Sequence, residues 1–302
     1  MLFQATISSP VTCSGIGLHT GITCQLTIRP ALADSGIVFI RQDLPKRIKV
    51  RAQIDHVVDS TLATTLGREG ARISTVEHLL AAFAGLGIDN AEVELDAPEV
   101  PIMDGSSEPF NALLKKAGIQ LQEKFKKFVI IKRPVNVSEG DRQAMLLPSN
   151  DFKISYTIDY QHPLISNQYY GIQIYNGNFE REICSARTFG FLSEYQMLKA
   201  RGFARGGSLE NAVVIDDGQV INAGGLRFSD EFVRHKILDS IGDLSLLGGQ
   251  VIGHFIGYKS GHTLNHKLIH KLLLHRDWWE TLEFASEEEF RRLHLTPPNH
   301  DF

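Results

Sequence analysis

The order of strand-like and helix-like segments is the feature that most constrains the fold of this chain. In each half, runs of β-branched residues broken by turn formers precede a helical segment that carries a histidine, His78 in the first half and His235 in the second. Sets of strands followed by helices are typical of α+β domains, in which helices pack on one face of a sheet. The 302 residues suffice for two such domains, and we interpret the charged segment 124–127 as the connector between them. We therefore predict an α+β fold with domains at 1–125 and 126–302.

Composition and charge argue against several classes of protein. The formal net charge is −4 and no dense run of lysine and arginine is present, which argues against electrostatic binding of nucleic acid. Three cysteines without a CxxC spacing fit a reducing compartment better than a disulfide framework. No apolar run approaches the roughly 20 residues of a membrane span, and the first residues lack the features of a signal peptide. We expect a soluble, cytoplasmic protein.

Two segments far apart in the sequence could together hold a metal ion. His235 and Asp239 are four residues apart and would share one face of a helix, and His78 could add a third ligand. Two histidines and a carboxylate, with a fourth position left for water, suit a catalytic zinc. Glu77, next to the first ligand, could then be the base that activates the water. The alternative is an amphipathic helix with a solvated polar face, and spacing by itself favours that alternative.

Two further alternatives involve the same segments. Ser74 and Glu77 have the spacing of a capping box, in which the glutamate side chain bonds back to the serine amide. His262, His266 and His270 recur every four residues and could form a separate metal-binding stripe. No carboxylate is interleaved in that stripe, and leucines repeat beside it as on an ordinary buried helix face. We therefore favour the site built from both halves of the chain.

The segment 184–191 supplies hydroxyl groups in a glycine-flanked, apolar setting. Its simplest interpretation is a strand end followed by a turn. The apolar residues that follow would ordinarily be assigned to the core, and they are Phe191, Leu192, Tyr195, Leu198, Leu209 and Val213.

Seven ordered segments resemble the UDP-3-O-acyl-N-acetylglucosamine deacetylases, zinc amidases that commit the Gram-negative cell to lipid A synthesis. The resemblance extends from the GIGLH sequence at 15–19 to the last long helix, which is nearly the whole chain. The segments are STVEHL at 74–79, GLGIDN at 85–90, DAPEVPIMDGS at 96–106, SARTFG at 185–190, FVRHKILD at 232–239, IGDL at 241–244 and YKSGH at 258–262.

The resemblance implies two layered α+β sandwich domains of related topology, with the active site in the cleft between them. It implies zinc-dependent hydrolysis of the 2-acetamide of UDP-3-O-acyl-N-acetylglucosamine, releasing acetate. One Zn²⁺ per chain is implied, although the ligand types also suit Fe²⁺. The implied roles are metal ligation by His78, His235 and Asp239, general base catalysis by Glu77, charge stabilisation by a protonated His262, orientation of His262 by Asp243, and polarisation of the carbonyl by Thr188.

Substrate-binding residues are also implied by the resemblance. Lys236 is expected to help bind the substrate, and Phe189 and Lys259 to lie near the sugar and nucleotide. An insert in the second domain is implied to form a hydrophobic passage for the 3-O-acyl chain, with Phe191, Leu192, Leu198, Ser208, Leu209 and Val213. We expect a monomer without stable membrane insertion, and transient contact with the inner membrane stays open.

Two alternative functions stay open at this point. The first is a zinc amidohydrolase that acts on another N-acyl sugar. The second is a binding protein in which the histidines hold a structural zinc, with four protein ligands and no water.

Overall fold

The computed structural model describes residues 2–175 and 177–296, so the end of the predicted second domain, 297–302, lies outside the described residues. This part of the chain contains six α-helices and several β-sheets, which confirms the α+β prediction. The division at residue 125 stays a prediction.

The first half builds a five-stranded sheet in which β9 lies at the centre. Strand β9 pairs antiparallel with β3 and parallel with β4, and β2 and β5 flank these pairs. A smaller antiparallel sheet joins β6, β7 and β8, and β1 pairs with β10. The strands are β1 (Phe3–Ile7), β2 (Val11–Ile16), β3 (Thr23–Pro30), β4 (Ile37–Arg41), β5 (Ile48–Arg51), β6 (Val57–Asp59), β7 (Thr65–Arg68), β8 (Ala71–Ile73), β9 (Ala91–Leu95) and β10 (Ile119–Phe125).

The second half builds a seven-stranded sheet around β19. Strand β19 pairs parallel with β11 and β14 and antiparallel with β13. Three shorter strands, β16, β17 and β18, form a separate sheet. The strands are β11 (Lys127–Ile131), β12 (Val135–Glu139), β13 (Arg142–Leu147), β14 (Phe152–Ile158), β15 (Gln168–Gln173), β16 (Phe189–Phe191), β17 (Val213–Asp216), β18 (Gln219–Val220), β19 (Gln250–Tyr258) and β20 (Trp279–Glu283).

Two central helices, α1 and α4, bury most of their residues in the core. A single 3₁₀ turn at Ile54–His56 and a π-helical turn at Phe179–Ile183 accompany the α-helices. Across residues 2–175 and 177–296, no helix has both the length and the apolar character needed to cross a membrane. The helices are α1 (Glu77–Gly85), α2 (Glu108–Ala117), α3 (Leu192–Ala200), α4 (Glu231–Ser245), α5 (His262–Leu274) and α6 (Glu287–Arg292).

The charged segment 124–127 joins β10 to β11, and its role as a connector between domains stays a prediction. Strand β10 ends at Phe125 and β11 begins at Lys127, so only Lys126 separates them. The Lys126 side chain is buried, and its Nζ donates to the carbonyl of Gly87 at 2.8 Å and to Asp89 at 2.6 Å. A buried ammonium requires such partners, because it loses its hydration on folding. Lys126 therefore links the start of β11 to the segment that follows α1.

Gly242 sets how closely α1 and α4 approach each other. A Cβ atom at this position would lie 2.1 Å from the backbone oxygen of Glu77, closer than any real contact. On α4, Ile241 and Leu244 are almost completely buried beside it. Glycine at this point therefore allows the first turn of α1 to pack against the C-terminal half of α4.

We predict that Gly242→Ala destabilises the protein by about 3 kcal/mol, because the new methyl group meets a backbone carbonyl that cannot rotate away. Alanine's better helix propensity would by itself favour the variant by about 1 kcal/mol. Urea denaturation measures the difference. Gly224→Ala is the control, since a Cβ there meets nothing within 4 Å. Equal free energies of unfolding for the two variants would show that Gly242 does not limit how closely α1 and α4 approach each other.

Candidate metal centre and active site

The three predicted metal ligands meet where α1 and α4 touch. His78 lies in the first turn of α1, and His235 and Asp239 lie one turn apart on α4. The Nε2 atoms of His78 and His235 are 3.5 and 3.3 Å from the same oxygen, Asp239 Oδ1. Each residue offers a ligand atom within 4.8 Å of the others, and all three side chains are buried. The amphipathic-helix alternative, in which His235 and Asp239 face solvent, is therefore wrong.

The loop before β16 orients His235. The Nδ1 atom of His235 is 3.0 Å from the carbonyl oxygen of Ala186, so Nδ1 carries the proton and Nε2 keeps its lone pair for a ligand. Burial lowers the pKa of His235 to about 4, even though Asp239 acts in the opposite direction, so the imidazole is neutral. Arg187 holds this loop, because its backbone N and its Nε bond to Glu231 at the start of α4.

The residues at this point fit a divalent cation. Asp239 Oδ1 is buried and has no hydrogen-bond partner among the described residues, whereas Oδ2 accepts from Lys236 Nζ at 2.6 Å. Burial would raise the pKa of Asp239, but His235 and Lys236 hold it well below its usual range. An ionised oxygen without a donor, facing two imidazole nitrogens, is costly unless a positive charge joins them. Two histidines and one carboxylate suit zinc and also iron(II).

Glu77 lies beside the ligands and is not part of a capping box. The Ser74 amide donates to the carbonyl of Pro98 instead, at 2.9 Å, and Val76 is the N-cap of α1. Glu77 Oε2 accepts from the backbone N–H of Thr64 at 3.0 Å. Burial raises the pKa of Glu77, and the nearby histidines offset part of that effect. A buried carboxylate with a raised pKa is suited to accept and return a proton.

His262 is held beside Glu77 by a buried carboxylate. Its Nδ1 lies 2.9 Å from Asp243 Oδ2, and its Nε2 lies 3.6 Å from Glu77 Oε1. Burial alone would lower the pKa of His262, but the charges of Asp243 and Glu77 outweigh it and raise the pKa to about 9. Burial acts in the opposite direction on Asp243, whose pKa is held far below its usual range by His262 and His266. The carboxylates of Asp243 and Glu77 therefore favour the charged form of His262, and its catalytic role stays a prediction.

The alternative metal-binding stripe does not form. His270 is exposed, whereas His266 is buried and places Nε2 3.2 Å from Asp243 Oδ1. His266 therefore belongs to the network around Asp243, a role that sequence reasoning missed. Its spacing of four residues from His262, with a carboxylate predicted nearby, was the signal that could have revealed it.

Comparison with known proteins agrees with this arrangement. The family model described as UDP-3-O-acyl N-acetylglycosamine deacetylase matches residues 4–274. The chain belongs to this deacetylase family.

Several curated relatives carry the name UDP-3-O-acyl-N-acetylglucosamine deacetylase. The chain is 52% identical to the protein of Syntrophus aciditrophicus over 95% of this chain and 91% of the relative. It is 55% identical to that of Myxococcus xanthus over 83% of this chain and 80% of the relative. It is 51% identical to that of Methylococcus capsulatus over 95% of each chain.

Two of the residues predicted to approach the substrate, Thr188 and Phe189, lie where β16 begins, beside the candidate metal centre. Phe189 places its ring 6.3 Å from the ring of His235 and 5.0 Å from that of Phe232. Thr188, directly before it, is fixed by backbone hydrogen bonds to Gly105 and Val213. This loop therefore lies next to His235, one of the predicted metal ligands. The catalytic role of the Thr188 hydroxyl stays a prediction.

The two predicted substrate-binding lysines already have carboxylate partners. Lys236 is bound to Asp239, one of the predicted metal ligands. Lys259 lies further out, where its Nζ is 2.8 Å from Asp141 and 2.9 Å from Asp159. Either ammonium would have to share or exchange its partner in order to bind a phosphate or sugar oxygen.

The predicted acyl-chain passage combines buried and exposed residues. Every residue of α3, including Leu192 and Leu198, is at least partly exposed, and Leu209 is 45% exposed. Val213 is fully buried, and the Ser208 hydroxyl accepts from the amide of Glu210 in an exposed turn. Apolar side chains in contact with water are suited to cover an alkyl chain. The passage itself stays a prediction, and Phe191 would lie at its start.

We predict that His262 of the metal-free protein titrates near pH 9, well above an ordinary histidine, because Asp243 stabilises its charged form. Replacement of Asp243 by Asn should lower that pKa by more than about one unit, since the buried imidazolium loses its counter-charge. NMR titration of the imidazole resonances measures both values. A pKa near 6.5 in the unsubstituted protein would contradict the arrangement.

Proposed function

We propose that this protein hydrolyses the 2-acetamide of UDP-3-O-acyl-N-acetylglucosamine in lipid A biosynthesis, with one zinc ion held by His78, His235 and Asp239. The observation that carries the proposal is the unpartnered, ionised oxygen of Asp239 between two imidazoles, with Glu77 and His262 beside it. The substrate is taken from the printed name of the curated relatives. Bound zinc would supply Lewis acidity, lowering the pKa of a water and polarising a carbonyl.

Glu77 is the general base in this proposal. Its carboxylate is buried and is fixed on one side by the amide of Thr64, which leaves Oε1 directed towards His262. Oε1 takes the proton of the attacking water as the water adds to the acetamide carbonyl. A base that is held in place pays little entropy at the moment of reaction, because its orientation is fixed beforehand.

His262 supplies the positive charge on the other side of the reacting carbon. Its imidazolium stabilises the negative charge that develops on the carbonyl oxygen, together with the hydroxyl of Thr188. The departing glucosamine nitrogen needs a proton, and either His262 or the protonated Glu77 can deliver it. Asp243 keeps His262 oriented and charged throughout.

The remaining parts of the proposal concern the surroundings of the site. The acyl chain would lie along the segment from Phe191 to Val213, and Lys236, Phe189 and Lys259 would contact the sugar and nucleotide. We further propose that the site opens into a cleft between domains 1–125 and 126–302. The protein would act as a cytoplasmic monomer.

Activity of the metal-stripped protein tests the function directly. We expect acetate release from UDP-3-O-acyl-N-acetylglucosamine to be absent without metal and to be restored by one equivalent of zinc. Iron(II) is added anaerobically in a parallel assay, and the ratio of the two restored rates identifies the preferred metal. A substrate that lacks the 3-O-acyl chain should react much more slowly. Equal rates with and without the chain would favour an amidohydrolase of other N-acyl sugars.

We predict that Glu77→Gln keeps one zinc per chain and loses roughly 10²–10⁴-fold in kcat, because the amide retains the bond from Thr64 but cannot accept the proton. Zinc content by atomic absorption and acetate release measure the two quantities. Activity within a few-fold of the unsubstituted enzyme would remove Glu77 from the role of base.

We predict that His78→Ala loses zinc, because only two of the three ligands remain. Metal analysis of the variant after dialysis against metal-free buffer measures the loss. His270→Ala is the control, since that exposed histidine lies outside the site. Full zinc occupancy in His78→Ala would reject this ligand set.

A further inference from the structure

Thr64 lies at the junction of the two halves of the active site. It directly precedes β7, and its side chain is completely buried. Its backbone N–H donates to Glu77 Oε2 at 3.0 Å, and its carbonyl accepts from the amide of Val76 at 3.3 Å. Its hydroxyl donates to Asp243 Oδ1 at 2.7 Å. One residue thus touches the base and the carboxylate that holds His262.

The hydroxyl of Thr64 has a defined direction. A threonine hydroxyl has one proton and two lone pairs, and the short contact with the ionised carboxylate of Asp243 takes the proton. The oxygen can then only accept from its other neighbours, His266 Nε2 at 3.2 Å and His262 Nδ1 at 3.3 Å. The hydroxyl therefore links Asp243 to both imidazoles.

His266 uses only one of its ring nitrogens in this network. Only its Nε2 has a partner, since its Nδ1 is buried without a hydrogen-bond partner among the described residues. The tautomer with its proton on Nε2 leaves no buried N–H donor without a partner, whereas a proton on Nδ1 would have none. The proton therefore lies on Nε2, which donates towards Asp243 Oδ1 and Thr64.

Donors surround the carboxylate of Asp243 completely. Oδ1 accepts from Thr64 and His266, and Oδ2 accepts from His262 and from Asn265 Nδ2 at 2.9 Å. A carboxylate has about four lone-pair sites, so each of them has a donor. The Thr64 hydroxyl makes the shortest of these four contacts, so its loss removes the closest of the donors that fix the orientation of the carboxylate.

We propose that Thr64 is a positioning residue, which holds Asp243–His262 and Glu77 in one hydrogen-bonded unit so that acid and base face the same reacting carbon. The expected loss of kcat rests on the proposed function. The expected effect on the orientation of His262 rests on the hydrogen bonds alone. Loss of groups that orient catalytic side chains typically lowers activity by about 10- to 100-fold.

The test compares Thr64→Val, which has the same shape without the hydroxyl, with Thr64→Ser, which keeps it. Thr65→Val is the matched control, because Thr65 is the buried neighbour whose hydroxyl bonds to Ser74 and not to Asp243. Each zinc-loaded variant is assayed for kcat, KM and zinc content. NMR records how fast the His262 Nδ1 proton exchanges with water, which needs no substrate.

We expect Thr64→Val to lose about 10- to 100-fold in kcat with little change in KM or zinc content, and to exchange the His262 proton faster. Thr64→Ser and Thr65→Val should remain close to the unsubstituted enzyme in both readouts. If Thr64→Val fails to fold, Thr64→Ala, which also lacks the hydroxyl, is judged by the same criteria.

Two results would overturn the proposal. One is that Thr64→Val changes neither kcat nor the rate of His262 proton exchange. The other is that Thr64→Val loses activity but Thr64→Ser loses as much, or that Thr64→Val loses activity while the rate of proton exchange stays the same. If the unsubstituted zinc protein shows no deacetylase activity, the proposed function fails separately, and the exchange measurement still decides whether Thr64 positions His262.

Discussion

The contact between Gly242 on α4 and the backbone of Glu77 on α1 is the constraint on which the site depends. It brings the start of one helix, from the first half of the chain, within reach of a helix from the second. His78 then meets His235 and Asp239, and Glu77 is carried to their side. A side chain larger than hydrogen at this crossing would separate Glu77 and His78 from His235 and Asp239.

Two buried carboxylates within this site have opposite properties because their partners differ. Burial raises the pKa of Glu77, which has one backbone donor and a histidine at longer range. Asp243 is equally buried, yet its pKa is lowered because His262 and His266 lie in hydrogen-bonding contact with its carboxylate. One carboxylate is thus suited to exchange a proton, and the other serves as a permanent counter-charge.

The sequence was sufficient for the fold class and for the residues whose chemistry is local. The spacing of His235 and Asp239 predicts a shared helix face, and the family's motifs point to Glu77 and His262. Contacts between distant segments were not predictable from pattern alone. Composition indicates a charged connector at 124–127, but it does not reveal that Lys126 within it is buried against Asp89. Thr64 carries no motif, because its role comes from the position where β7 begins beside α1 and α5.

The location of bound zinc tests the central claim most directly. Anomalous scattering at the zinc edge from crystals of the zinc-loaded protein should give one site, about 2.0–2.2 Å from a nitrogen of His78, a nitrogen of His235 and an oxygen of Asp239, with an open position towards Glu77. A zinc ion bound at His262 and His266, or one closed off by a fourth protein ligand, would contradict the account.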